Sequence, residues 1–334
     1  MSQSAQHTSI SLPTRLLCYL GPPSVILLTA SLSPRTALLS PLSFVPTALF
    51  FRNWRQSNKI DSARRGELEP MVWTYVAAGT LGLASAALAQ VVICKGVSAT
   101  LFRSDQLRAE FWEEFTRTTI AGLTADQLAR RNELAASWQN WVFNAILTFV
   151  SAGLVEETLK YMPIAYARRR GTAKERGQRD RAYRDYALSG ALSFGMIETI
   201  GYIYISSESA GEAVSKSILT LFARVVIGQV GHLSVAALTA LRAIRRDYYG
   251  EKLSWWKVVG PSILLHGIYN FVAMTGSTLE GNVGWIQPTG TKVVTVGLGL
   301  IVSLVSFSVL QVCREWKSLE FRDRILKSSG DESN

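Results

Sequence analysis

The chain of 334 residues is 48% apolar and only 18% charged, with a mean hydropathy of +0.16. This balance excludes a pair of soluble domains and points to a lipid-embedded protein. Thirty-five Lys and Arg against 25 Asp and Glu leave a net charge of +10, which a soluble protein would direct at nucleic acid and a membrane protein places in its cytoplasmic loops. The three cysteines, Cys18, Cys94 and Cys313, form no CxxC pair or disulfide framework and read as inert packing residues.

A stretch of about 20 apolar residues crosses about 30 Å of hydrocarbon as a helix. The first such region, residues 16–51, is interrupted by Pro22, Pro23, Pro34, Arg35, Pro41 and Pro46 and reads as two spans turning at residues 33–35. Loop 52–70 follows with Arg52, Arg55, Lys59, Arg64 and Arg65, and then a third span at 71–94. Residues 95–140 interleave Phe111, Trp112, Phe115, Leu123, Leu128, Leu134 and Trp138 with charges, the pattern of an interfacial amphipathic helical pair. Five more spans fall at 141–165, 186–205, 218–241, 257–276 and 292–313.

Basic residues collect in alternate connections. Loop 166–185 holds Arg168, Arg169, Arg170, Lys174, Arg176, Arg179, Arg181 and Arg184, and loop 242–257 holds Arg242, Arg245, Arg246, Lys252 and Lys257. The tail adds Arg314, Lys317, Arg322, Arg324 and Lys327, whereas the short intervening loops carry only Arg35, Lys216 and Lys292. The alternation predicts an integral, multi-pass protein with both termini cytoplasmic, and assigns the excess charge to topology and anionic-lipid contact, with no nucleic-acid partner. The expected fold is all-α, a polytopic protein of about eight transmembrane helices, because lipid tolerates no unsatisfied backbone. Three units are expected: residues 1–140 with the N-terminal helices and the interfacial segment, 141–276 as a polar core, and 277–334 as the last helix and basic tail.

Charged side chains at membrane depth cost at least about 2.5 kcal/mol each on insertion scales and carry a functional expectation. They occur in four consecutive spans: Glu156, Glu157 and Lys160 in the fourth, Glu198 in the fifth, Arg224 and His232 in the sixth, and His266 with Asn270 in the seventh. The other four spans carry essentially none, so a four-helix polar catalytic core sits inside an apolar jacket. Small residues share the stripes that bear the polar groups: Ala187, Ala191 and Gly195 lead to Glu198, and Gly228 and Ala236 flank His232. Counted from the expected cytoplasmic ends, the glutamates and histidines lie about 9 to 13 residues deep, near the bilayer centre at 1.5 Å per residue.

Glu156 and Glu157, about 100° apart on a helix, cannot share one face. Lys160 reaches either at i+4 or i+3, so one carboxylate is expected on the lysine and the other facing a cavity as a general base. Two chemistries fit. In one, a buried glutamate activates water, a histidine orients it, and His266 with Asn270 donates to the oxyanion of a tetrahedral intermediate, with no cofactor. In the other, Glu198, His232 and His266 are candidate Zn²⁺ ligands with an open position for water. No HExxH is present, and the metal-free version is preferred. Phe194 reads as a packing residue, and Arg224 either snorkels to the interface or anchors a substrate carboxylate.

At these residues the chain resembles the PrsW-like intramembrane proteases, in a superfamily with CAAX-prenyl proteases and APH-1-type proteins. The matching elements are EETLK at Glu156–Lys160, FGMIE at Phe194–Glu198 and HGIYN at His266–Asn270, with His232 in the helix between. The resemblance implies a protease, hydrolysing a peptide bond of a membrane-anchored protein substrate within the bilayer. It further implies Glu156 or Glu157 as base and His266 with Asn270 as oxyanion stabilisers. Lys160 and Glu198 stand where the CAAX enzymes have Arg and His, which turns the expectation away from prenylated substrates. Competing readings are a non-catalytic scaffold or receptor, an enzyme for a lipophilic small molecule, and a proton-coupled carrier, the last disfavoured because no inverted repeat is visible.

Overall fold

The computed structural model describes residues 10–59, 64–170, 177, 179–208 and 214–331. His7, Lys174 and Arg176 lie outside the described residues, as do the side chains of Lys216 and Lys327. Among the described residues the secondary structure is helical throughout. Seven continuous helices are long and apolar enough to cross a membrane: α1 (Leu12–Leu32), α4 (Leu68–Leu101), α7 (Trp138–Arg169), α8 (Ala182–Ser207), α9 (Ser217–Tyr248), α10 (Trp255–Leu279) and α11 (Thr291–Ile325).

The expected second span is not a continuous helix. Ser33 takes an extended conformation that ends α1, and its hydroxyl accepts from the Thr36 amide to start α2 (Pro34–Leu39). Pro41 and Pro46 each lack an N–H, and the chain continues as a 3₁₀ turn, Ser40–Phe44, into α3 (Val45–Asn58). The pieces together run antiparallel to α8. Thr36 Oγ1 lies 2.8 Å from Ser207 Oγ at one end of α8, and Phe50 and Trp54 share a cavity with Arg181, Arg184 and Leu188 at the other. These pieces follow α8 along its length, but none is long and apolar enough by itself to cross a membrane.

The four basic segments meet at one end of the bundle. Arg64 pairs with Asp180 and Asp323, Arg65 with Asp185 at 2.7 Å, Arg170 with Glu67 at 2.7 Å and Arg181 with Asp323 at 2.7 Å. Arg245 pairs with Glu251 and Glu315, and Arg322 with Glu251. α1 also starts here, with Ser11 and Thr14 hydroxyls donating to Glu69 at the head of α4. An apolar cluster that includes Trp54, Met71, Ile164, Tyr186, Leu241 and Val259 closes this end.

The opposite end is closed by α5 (Asp105–Thr116) and α6 (Ala125–Ala136), the helical pair expected from residues 95–140. Ser104 caps α5, and a reciprocal pair between Thr124 and Gln127 caps α6. The pair is not simply laid on the lipid surface. Phe111 stacks on Phe102 with ring centres 4.2 Å apart and meets Phe143 edge-on, and Leu134 and Met274 complete the cluster. Arg131, 1% exposed, is held by the Val283 carbonyl at 2.7 Å, the Glu114 carbonyl at 3.0 Å and the Glu114 carboxylate. Leu128 and Trp138 are the members of the apolar set that stay exposed.

Between these two apolar ends the waist is polar. The apolar stretches of α7 and α8 are 50% and 56% buried, against 6% for α1 and α11 and 11% for α4. α7 to α10 therefore form the core and the remaining helices the lipid-facing jacket.

Candidate active site

Each polar helix delivers its side chain through a local device. In α7 the residues Leu147–Glu156 wind as a π-helix that returns to α-geometry at Glu157, a widening common at functional sites. A second π segment, Ala223–Gly228, carries Arg224 in α9. α8 and α9 approach closely at Gly195, where an added Cβ would come within 2.5 Å of Gln229 Oε1 and 3.0 Å of His232 Cδ2. At Gly153 an added Cβ would come within 2.9 Å of the Ile263 carbonyl, so α7 and α10 also meet through a glycine. The α8 stripe expected from the sequence thus acts as a helix contact at Gly195, whereas Gly228 of the α9 stripe lines the cavity.

Lys160 is the centre of the cluster. Its ammonium donates to Glu157 Oε1 at 3.0 Å, to Glu156 Oε2 at 3.3 Å and to His232 Nδ1 at 3.1 Å, three acceptors for three N–H groups. The Phe194 ring closes its remaining side, 4.6 Å from Nζ. His266 Nδ1 lies 2.8 Å from Glu157 Oε1, and its Nε2 lies 3.8 Å from Glu156 Oε2. His232 Nε2 lies 2.9 Å from Glu198 Oε2, and Arg224 Nη2 is 2.9 Å from Glu198 Oε1. The two imidazoles stand perpendicular with centres 5.5 Å apart.

These partners assign the tautomers. Glu157 faces His266 Nδ1 and accepts from it when the proton sits there, the tautomer whose Nε2 lone pair is free. His232 accepts from Lys160 at Nδ1 and so carries its proton on Nε2, directed at Glu198. Arg224 does not snorkel to the interface: its guanidinium stacks 4.2 Å from the Tyr202 ring and stays with Glu198. Both glutamates of the pair reach Lys160 and face His266, so the expected division between a lysine-bound and a cavity-facing carboxylate does not hold. Their partners still differ, because Glu156 Oε1 accepts from Gln90 Nε2 at 2.9 Å. Gln90, on α4, is a site residue that the sequence reading passed over.

Glu198, Arg224, His232, His266 and Asn270 line one cavity with about 30 Å³ of room for water, enough for a single molecule. Val235, Leu265, Leu304 and Val305 form its apolar wall. Among the described residues Glu198 Oε2 and Arg224 Nε and Nη2 lack a well-aligned hydrogen bond, and ion-pair contacts at 2.9 Å take its place for Glu198 Oε2 and Arg224 Nη2.

The chain matches the family described as PrsW family intramembrane metalloprotease over residues 70–310. It belongs to that family. The PrsW match covers all four polar helices and makes the chain a peptidase embedded in the bilayer as a multi-pass protein. No curated protein and no solved structure matches the chain.

The PrsW description as a metalloprotease is compatible with zinc, and the candidate ligands Glu198, His232 and His266 do converge on one cavity. As arranged, however, they do not fit an ion. A metal-ligating histidine donates its other N–H to an acceptor. His266 does so towards Glu157, but His232 faces the Lys160 ammonium, a donor, and the tautomer that accepts from it carries its proton on Nε2, the nitrogen left to ligate. Among the described residues no three carboxylate, imidazole or thiol groups come together as a metal-binding group.

Proposed function

We propose that the chain hydrolyses a peptide bond of a membrane-anchored protein, using a water held between Glu156 Oε2 and His266 Nε2. The observation that carries this is the asymmetry around His266, with Glu157 on Nδ1 at 2.8 Å and Glu156 facing Nε2 across 3.8 Å. The gap is too long for a direct hydrogen bond and suits a water that bonds to both. Glu156 takes a proton from that water, and the hydroxide attacks the scissile carbonyl carbon. Asn270, whose amide has no partner among the described residues, donates to the oxyanion. Collapse breaks the C–N bond, and Glu156 returns its proton to the departing amine. Glu157 fixes the His266 tautomer, Lys160 holds both carboxylates, and His232 with Arg224 holds Glu198. With its proton on Nδ1, His266 accepts at Nε2 and orients water in this reading, and the oxyanion contact falls to Asn270.

The substrate enters where α9, α10 and α11 meet, since the apolar wall belongs to these helices. A cavity sized for one water admits an extended peptide only if α11 moves away. The scissile segment is therefore expected to be apolar and locally unwound.

The test is cleavage of single-span reporter substrates by purified protein in bilayers. Glu156→Gln is expected to lose a factor of about 10³ in kcat, within the range of a general base, and Glu157→Gln about 10² through loss of orientation. Wild-type turnover by Glu156→Gln would sink the assignment. Activity is expected to survive chelation, and stoichiometric zinc with loss of cleavage on its removal would overturn the metal-free route.

A further inference from the structure

At the charged end of the bundle, far from the glutamates, α3, α8 and α11 enclose a second cavity of about 590 Å³. Four guanidinium groups line it, from Arg64, Arg65, Arg181 and Arg184, together with the indoles of Trp54 and Trp316. Arg181 and Arg184 stack on the Trp316 ring at 4.6 and 4.7 Å, which holds their planes in a fixed orientation.

The local acceptors are already in use. Asp323 receives Arg64 at 3.0 Å, Arg181 at 2.7 Å and the Tyr249 hydroxyl. Asp185 receives Arg65, Arg184 and the Gly66 amide. Glu320, also on the wall, accepts from Trp316 Nε1 at 2.6 Å. Two donors remain. Arg181 Nη1 and Trp54 Nε1 are buried with no hydrogen-bond partner among the described residues. Their side chains are more than nine-tenths buried, Arg181 at 6% and Trp54 at 7% exposed. Buried donors left unmade are costly, and both belong to residues of the cavity wall, so a guest that brings acceptor oxygens to that wall is favoured.

We propose that this cavity binds a phosphate group, and specifically the headgroup phosphate of an anionic phospholipid. Guanidinium forks match phosphate oxygens, and four of them with Arg181 and Arg184 held flat on Trp316 give this cavity oriented donors in addition to general positive potential. The depth of the cavity identifies the source. Phe50 lies one turn below Trp54 on α3 and Leu188 one turn below Arg184 on α8, so the polar mouth stands over an apolar floor on the bilayer side. A headgroup joined to its acyl chains has that order of chemistry, and basic pockets between helices at headgroup level are suited to it.

The experiment uses the full chain in nanodiscs of phosphatidylcholine, with or without a minority of phosphatidylglycerol, and counts retained lipid by native mass spectrometry after detergent extraction. Trp54→Phe removes the indole donor but keeps a ring, and Arg181→Lys keeps the charge beside Asp323 but loses Nη1. Two independent variants, each first matched to wild type in basal cleavage rate without the anionic lipid, guard against a folding artefact in either one. Wild type is expected to retain one phosphatidylglycerol per chain, and each variant to bind it about tenfold more weakly. A parallel arm adds inorganic phosphate to phosphatidylcholine discs and follows Tm. A rise in wild type alone, without lipid retention, keeps the phosphate site and overturns the lipid as its source. Equal retention by wild type and both variants, or no response of wild type in either arm, overturns the proposal.

Discussion

Lys160 has as many acceptors as donors, and two of those acceptors are carboxylates with almost no solvent contact. Burying such ions is expensive, and breaking one pair by removing a partner commonly costs about 3–5 kcal/mol because the other charge is left uncompensated. The same reasoning gives Gln90 its weight: it is the partner of Glu156 Oε1 that does not come from the four polar helices. Gln90→Leu is expected to lower kcat about tenfold with KM unchanged, since it loosens a group that acts on water and leaves the substrate wall alone. Steady-state cleavage of a single-span reporter measures both constants, and a pure KM effect would refute the positioning role. The glutamates, histidines and Lys160 were legible in the sequence because charge inside an apolar run is conspicuous. Gln90 was not, because one neutral amide in a span raises little alarm, and its partner lies 66 positions away.

Within single helices, glycine placement separates contact from tolerance. α8 carries Gly195 against α9 and Gly201 facing open space. Replacing a helical glycine by alanine normally stabilises by roughly 0.5–1 kcal/mol. Gly201→Ala is expected to show that gain as a higher Tm at unchanged activity. Gly195→Ala is expected to forfeit it, because the new methyl pushes Gln229 aside and forces His232 to shift, with activity about tenfold lower through the displaced contact to Glu198. Thermal melts and cleavage rates on the two variants check this, and parallel behaviour would show that the Gly195 contact is slack. Helix periodicity predicted the α8 stripe correctly. It misplaced the Glu156 and Glu157 relationship, because Lys160 is long enough to serve both i+3 and i+4 and His266 enters between them from α10. The broken traverse of α2 and α3 was half legible: the turn at Ser33 falls within the expected 33–35, but hydropathy alone does not report where proline divides a span.

Across the whole molecule, the four basic segments named from the sequence gather at one end and are tied together by carboxylates that the charge count treated only as a deficit. Glu251, in the connection between α9 and α10, is one of these ties. Hydrogen bonds from Arg245, together with the Arg245 and Arg322 charges, hold its carboxyl below the usual range. A group whose folded value is lowered contributes stability above its unfolded value, and the contribution disappears as pH falls through the folded one. Glu251→Gln is therefore expected to lower Tm at neutral pH, by an amount corresponding to about 1 kcal/mol or less, with the difference from wild type vanishing well below about pH 4. A difference that stays constant from pH 7 to pH 3 would place the effect in packing instead. The helix α11 crosses both regions described above. Leu304, Val305 and Ser308 belong to the wall of the cavity that Glu198 and His266 line, and Trp316, Glu320 and Asp323 to the arginine-lined chamber. Ser308 and Asp323 lie about 22 Å apart along one uninterrupted rod at 1.5 Å per residue. A rod in a bilayer can act as a lever: if substrate enters beside α11 as proposed, a ligand gripping the charged arm would bias the angle of the buried arm and the width of that entrance.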